Sequence, residues 1–257
     1  MINKDKLKRR FSRGAREYDK YANVQKIMGD KLVNLIDNKK VHSILEIGCG
    51  TGYVTKKLVN DFPNGSITAL DLAPGMIEYA QERVNSNKVN FICGDIESMD
   101  LEGKYDLIIS NATFQWFNNL KETVDKLHDL LTPHGIILFS TFGEETFFEL
   151  KETFLKASTE LKIDPILPSQ SFFSKEGLEK ELNRNLQIVE SNEVEYFNDC
   201  NEFFLSIKKI GANNSSSNRK KPNPTFIQKV MDIYNEDYRV DDKVKTTYHV
   251  IWAKLNK

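Results

Sequence analysis

A chain of 257 residues is long enough to bury a substantial core, as one large α/β domain or as one domain with an insertion. Charged residues make up 28% of it and nearly cancel to a formal net charge of -1, so an electrostatic partner must be met by a local patch and not by a global field. Three cysteines (Cys49, Cys93 and Cys200) fit neither a disulfide framework nor a metal-ligand set, and no apolar run approaches the roughly 18 residues of a membrane span. The expectation is a cytoplasmic chain without metal and without contact to a membrane.

Residues 1–16 carry seven basic side chains against the single acid Asp5 and read as a basic arm. Val24, Ile27, Met28, Leu32, Leu35 and Ile36 keep helical spacing, which predicts an amphipathic helix over 24–37. From 43 to 141 strand-like runs at 44–47, 66–70, 89–93, 105–110 and 135–141 alternate with helical patterns at 53–61, 75–85 and 119–131. That alternation predicts an α/β fold with a doubly wound, mostly parallel sheet, which binds ligands beyond the carboxyl ends of its strands. Past Phe142 it breaks: a helix over 144–161, a short helix capped by Ser174, a long strand over 186–197, a helix over 203–210 behind the Asp199/Glu202 capping box, a last helix over 225–238, and a closing strand over 245–253. Three parts result: 1–40 as arm and covering helix, 41–142 as ligand-binding core, and 143–257 as the rest of the sheet with a helical insertion or lid.

The stretch Ser43-Ile-Leu-Glu-Ile-Gly-Cys-Gly-Thr-Gly52 is a buried strand broken by glycines at alternate positions, then a helix. A dinucleotide fingerprint would need a glycine at the sixth position from Gly48, where Tyr53 stands. Instead Glu46 precedes Gly48, Cys49, Gly50 and Gly52, and Asp71 ends the next apolar run. One acid for a pair of ribose hydroxyls and one for a cationic amino group imply a ligand with a ribose and an ammonium and no phosphate. The stretch resembles motif I of the class I S-adenosylmethionine methyltransferases. That resemblance implies a seven-stranded sheet whose last strand enters antiparallel. It also implies a donor site of Asp71, Leu72, Met76 against adenine, Asp95 and Ile96 at its exocyclic amine, and Asn111 at the fourth strand end.

The segment Ser110-Asn-Ala-Thr-Phe-Gln-Trp-Phe117 lacks both the Asn/Asp-Pro-Pro-aromatic motif and the Pro-Cys of DNA-modifying methyltransferases. No G-x-S-x-G elbow or histidine triad supports hydrolysis. The blocks FSRGAREYDKYANVQ, ALDLAPGM, GDIESM, SNATFQWF, SIKKIGAN and TYH are similar to those of the malonyl-acyl carrier protein O-methyltransferases of biotin synthesis, over nearly the whole chain. The family methylates the free carboxylate of a malonyl thioester held on a carrier protein. It implies Tyr18, Gln115, Trp116, Tyr248 and His249 as walls of the acceptor site, although Tyr248 and His249 alternate faces if they share a strand, so at most one faces the pocket. The carrier is acidic, and Lys208, Lys209, Arg219, Lys220 and Lys221, with Arg9, Arg10 and Arg13, have the sign to attract it. Malonyl-coenzyme A is a conceivable surrogate, and no nucleic-acid-reading motif is present. Two rival readings stay open at this point: a methyltransferase for a small free acid or a quinone, and a donor-binding module without turnover.

Overall fold

The computed structural model describes residues 1–37, 40–168, 172–211 and 222–257, and the predicted sheet runs through them. β1 (Ser43–Ile47), β2 (Ser66–Asp71), β3 (Val89–Cys93), β4 (Tyr105–Asn111) and β5 (Leu131–Phe142) pair in parallel. β6 (Gln187–Phe197) and β5 flank β8 (Lys243–Asn256), which runs antiparallel to both, and the two-residue β7 (Arg239–Val240) folds back on β8 as an eighth strand. The order is β3-β2-β1-β4-β5-β8-β6. Strand order therefore reverses between β1 and β4, and the crevice beyond their carboxyl ends is where this topology puts a ligand.

Alternate side chains of β1 serve two cores. Ile44 packs with Met28 and Leu32 of α2 (Asn23–Asn34) and with Val54 and Leu58 of α3 (Tyr53–Asp61). Leu45 and Ile47 face Val124 and Leu127 of α5 (Leu120–Asp129) and Leu178 of α7 (Lys175–Leu182). Met28, Leu32 and Leu58 are fully buried, a contribution of about 1.5–3 kcal/mol each. The indole of Trp252 on β8 fixes α2 further, donating to the Met28 carbonyl at 3.0 Å.

The N-terminal stretch is not the unconstrained arm expected from its charge. It is a helix, α1 (Lys4–Tyr21), capped by the Asn3 side chain, which accepts from the Lys6 N–H at 2.9 Å. Leu7, Phe11, Ala15 and Tyr18 fall on one face, and that face lies over α4 (Pro74–Val84). The approach is close enough that a Cβ on Gly75 would meet the Ser12 carbonyl oxygen at 2.6 Å. α6 (Phe148–Glu160) starts later than predicted, because the N–H groups of Gly143 and Phe147 donate to the His249 and Thr247 carbonyls at 2.8 Å each and extend the sheet instead. α8 (Cys200–Lys209) starts earlier, directly after its cap Asp199, whose carboxylate accepts from Glu202 N–H at 2.8 Å. α6, α8 and α9 (Pro224–Asp237) share a cluster of their own around Phe154, Phe203, Phe226 and Tyr234. Among the described residues no helix is long and apolar enough to cross a membrane.

Candidate active site

At the end of β1 the chain turns through left-handed glycines, and two of them set the geometry. Gly48 has φ +71, and a Cβ there would meet the Thr113 hydroxyl at 2.1 Å. Gly50 has φ +52 and open space on its side, with nothing within 4 Å of an added Cβ. The turn is tied to β2 by the N–H groups of Gly48 and Cys49, which donate to the Leu70 carbonyl at 2.7 and 3.0 Å. Asp71 holds both sides of the crevice, one carboxylate oxygen accepting from Gly50 N–H at 2.9 Å and the other from Ala73 N–H at 2.8 Å. Burial pushes its carboxyl up to about 6, against the pull of those two N–H groups. Each oxygen keeps a further lone pair, and Asp71 lines the cavity described next.

The cavity beyond this turn is walled from β2 by Leu72 and Met76 and after β3 by Gly94, Asp95 and Ile96. After β4 the wall continues through Asn111, Ala112, Thr113, Trp116 and Phe117. Its roof is α1, which contributes Lys4, Leu7, Phe11 and Tyr18. Phe11 packs edge-on to both Tyr18 and Trp116, with ring centroids at 6.2 and 5.9 Å, so roof and wall meet in an aromatic corner. The Tyr18 phenol is raised by burial and by the charges of Asp19 and Asp71, and stays protonated as a neutral donor. The roof is clasped at both ends. Ile2 N–H donates to the Asn118 side chain at 2.7 Å and Lys4 pairs with Glu97, while Asp19 pairs with Arg83 and accepts from the Thr51 hydroxyl at 2.8 Å.

Several predicted residues stand elsewhere. Glu46 is buried behind the turn, accepting from the Thr55 hydroxyl at 2.6 Å, and is not part of the cavity wall, nor are Cys49 and Gly52. Gln115 braces the wall without lining it: its amide donates to the Ala112 carbonyl at 2.8 Å and accepts from the Thr141 hydroxyl at 3.0 Å. Ala112 itself stands at φ +51, with its N–H donating to the Ser140 carbonyl at 3.0 Å. Asn111 does line the cavity, but its amide is turned to the Gln25 carbonyl (2.9 Å) and the Ser140 hydroxyl (2.7 Å). Tyr248 is core, packed on Phe142 and Phe147 at 5.8 and 4.8 Å. His249 points to the other face, into a separate polar cleft with Lys175 and Glu176, and contacts Glu190 at 3.1 Å. Neither lines the cavity beneath α1. Lys209 is tied to Glu17 at 2.8 Å, whereas Lys208 is exposed; Arg219, Lys220 and Lys221 lie outside the described residues. Among the described residues no group of three or more His, Cys, Asp or Glu could hold a metal ion.

Residues 44–135, which carry the glycine turn, Asp71 and the β4 wall, match a family model described as a methyltransferase domain. The malonyl-acyl carrier protein O-methyltransferase of Priestia megaterium is 45% identical, over 100% of this chain and 99% of that one. Its counterpart in Acetivibrio thermocellus is 44% identical, over 100% and 95%. The chain belongs to the malonyl-acyl carrier protein O-methyltransferase family. Its fold is shared by the N-methyltransferase NodS of Bradyrhizobium japonicum, solved with S-adenosyl-L-homocysteine, at a TM-score of 0.50 and 15% identity over 89% of this chain and 85% of that one.

The roof residues Lys4, Leu7 and Phe11, with Thr113 and Phe117, were not legible as site residues. The spacing 4-7-11-18 was the available signal, obscured by the basic side chains between those positions.

Proposed function

We propose that the protein transfers the methyl group of S-adenosylmethionine to the free carboxylate of a malonyl thioester on acyl carrier protein, in the cytoplasm, giving the methyl ester that enters biotin synthesis. The observation that carries this is kinship along the entire chain, 45% over full length, which covers the donor half and the acceptor half alike. The residues fit the donor. Gly50 leaves a side open where any Cβ would intrude, and Asp71 keeps an acceptor on each oxygen for a pair of ribose hydroxyls. Asp95 is suited to the base amine, and the buried thioether of Met76 to its face. In this reading 41–142 holds the donor, 1–40 covers it, and 143–257 frames the acceptor side.

When bound, S-adenosylmethionine supplies a methyl group activated by its sulfonium. The protein's part is positional. A malonyl carboxylate is already ionised at neutral pH, so no general base is needed, and the two carboxylates of the cavity wall, Asp71 and Asp95, are left to hold the methyl donor. Tyr18, Trp116 and Phe11 exclude water from the reacting end, and the protonated Tyr18 hydroxyl is a hydrogen-bond donor for orienting the incoming carboxylate. Alignment of this kind supplies roughly 7–11 kcal/mol of a barrier.

The test is transfer of label from methyl-labelled S-adenosylmethionine to malonyl-carrier protein and to acetyl-carrier protein. Alkali-labile label on the malonyl form alone is the expected result. Label on both would move the acceptor away from the free carboxylate, and label on neither would end the proposal.

A further inference from the structure

α1 carries eight basic and three acidic side chains, a net of +5 in a chain whose total is -1, so every other residue together sums to -6. The positive charge is also sorted by face. With Leu7, Phe11, Ala15 and Tyr18 turned inward, a rotation of ~100° per residue puts Lys6, Arg9, Arg13, Arg16 and Lys20 on the opposite side. All five are exposed.

Little of that row is neutralised by the protein itself. Arg16 pairs with Glu82 at 3.0 Å and Lys20 with Glu17 at 4.0 Å, while Arg9 donates to the Asp5 main-chain carbonyl at 3.2 Å. Lys6 and Arg13 have no ion-pair partner among the described residues. α8 abuts the same helix, the Lys209 carbonyl lying 3.1 Å from where a Cβ of Gly14 would be, and its exposed Lys208 adds to the row. Like charges three and four residues apart weaken a helix. A merely solvated face would interleave the two signs more evenly. Five bases against the two exposed acids Asp5 and Glu17 on the back of a cavity roof, in a chain that is otherwise net acidic, make a face complementary to an acidic macromolecule.

We infer that the outward face of α1, centred on Arg9 and Arg13, is the docking surface for an acidic protein, the carrier that bears the malonyl group. This rests on the function proposed above. The carrier then sits on the back of the helix whose front encloses the donor, so encounter and enclosure involve one element. Exposed charges of this kind act chiefly on encounter and orientation, and are screened beyond about 8 Å at physiological salt.

The test compares wild type, the charge-reversed pair Arg9→Glu with Arg13→Glu, the neutralised pair Lys6→Gln with Arg13→Gln, and the charge-preserving pair Arg9→Lys with Arg13→Lys. Each is assayed with malonyl-carrier protein and with malonyl-coenzyme A, alongside calorimetric binding of S-adenosylhomocysteine. The reversed pair is expected to raise KM for the carrier substrate about tenfold at low salt, a gap that closes as salt rises, with kcat little changed. The neutralised pair shows a smaller rise and the lysine pair none, while coenzyme A kinetics and S-adenosylhomocysteine affinity stay at wild-type values. An unchanged KM in the reversed and neutralised pairs overturns the docking surface. So does a parallel loss on both substrates, because the charges would then act through the roof. Sedimentation of wild type, but not of the reversed pair, with anionic phospholipid vesicles while carrier KM is unaltered would hand the row to a membrane instead. Wild type that methylates malonyl-coenzyme A but not the carrier substrate would defeat the carrier reading itself, before any variant is compared.

Discussion

Replacing Asp71 by Asn tests the donor site where one side chain serves two purposes. The carboxylate accepts from Gly50 N–H at 2.9 Å and from Ala73 N–H at 2.8 Å, one bond on each oxygen. An amide has a single accepting oxygen, so its NH2 must face one of those two N–H donors. One charge-assisted bond to the backbone is lost, and so is one acceptor for the donor's ribose. Only the ribose bond bears on binding, and at about 1.5 kcal/mol its loss weakens S-adenosylhomocysteine binding by about one order of magnitude, while the lost backbone bond bears on folding. The backbone share alone lowers Tm by only a few degrees in a chain of this length, so binding can be measured on folded protein. Calorimetric titration is the assay. A Kd within about threefold of wild type would refute the assignment of Asp71 to the ribose.

Other consequences are equally direct. The Asp71 carboxyl, raised by burial to about 6, must be ionised to accept the ribose hydroxyls, so affinity for S-adenosylhomocysteine should strengthen about tenfold from about pH 5 to about pH 7 and then level; the Asn variant should show no such profile. Burial likewise pushes Glu46 up to about 7 from an ordinary 4.5, with the Thr55 hydroxyl as a partial brake. The native state then holds more protons than the unfolded chain between those two values, so stability falls as pH rises through that window and is flat above it. Glu46→Gln should flatten that decline in a Tm-against-pH series. Gly75→Ala should favour α4 by helix propensity, yet its Cβ would meet the Ser12 carbonyl at 2.6 Å and lift the roof. Weaker S-adenosylhomocysteine binding without loss of Tm is the expected pair of readings, and unchanged binding would mean that α1 is not needed for enclosure.

The sheet and its glycine turn were legible because they are built from local pattern. Ile44, Leu45 and Ile47 announce a buried strand, and the alternate glycines after them permit the left-handed turn that ends it. The same holds for α3, read at 53–61 and found at Tyr53–Asp61. α1 was missed because charge density was taken for lack of structure, although Asn3 supplies a cap and Leu7, Phe11, Ala15 and Tyr18 a face. Its partner surface on α4 is distant in sequence, and only the fold brings the two together. Tyr248 and His249 were correctly expected to alternate, but which side of β8 faces a ligand depends on its register with β5 and β6. Both proved to be away from the cavity, one in the core and one in a second cleft. Gln115 is a finer case. Sequence placed it at the β4 end, and only its bonds to Ala112 and Thr141 reveal that it braces the wall from behind.

The most direct single measurement is the intact mass of malonyl-acyl carrier protein after incubation with the enzyme and S-adenosylmethionine. The account predicts the increment of one methyl group, located on the malonyl group and removed by mild alkali. A carrier protein of unchanged mass, with enzyme that still binds S-adenosylhomocysteine, would contradict it.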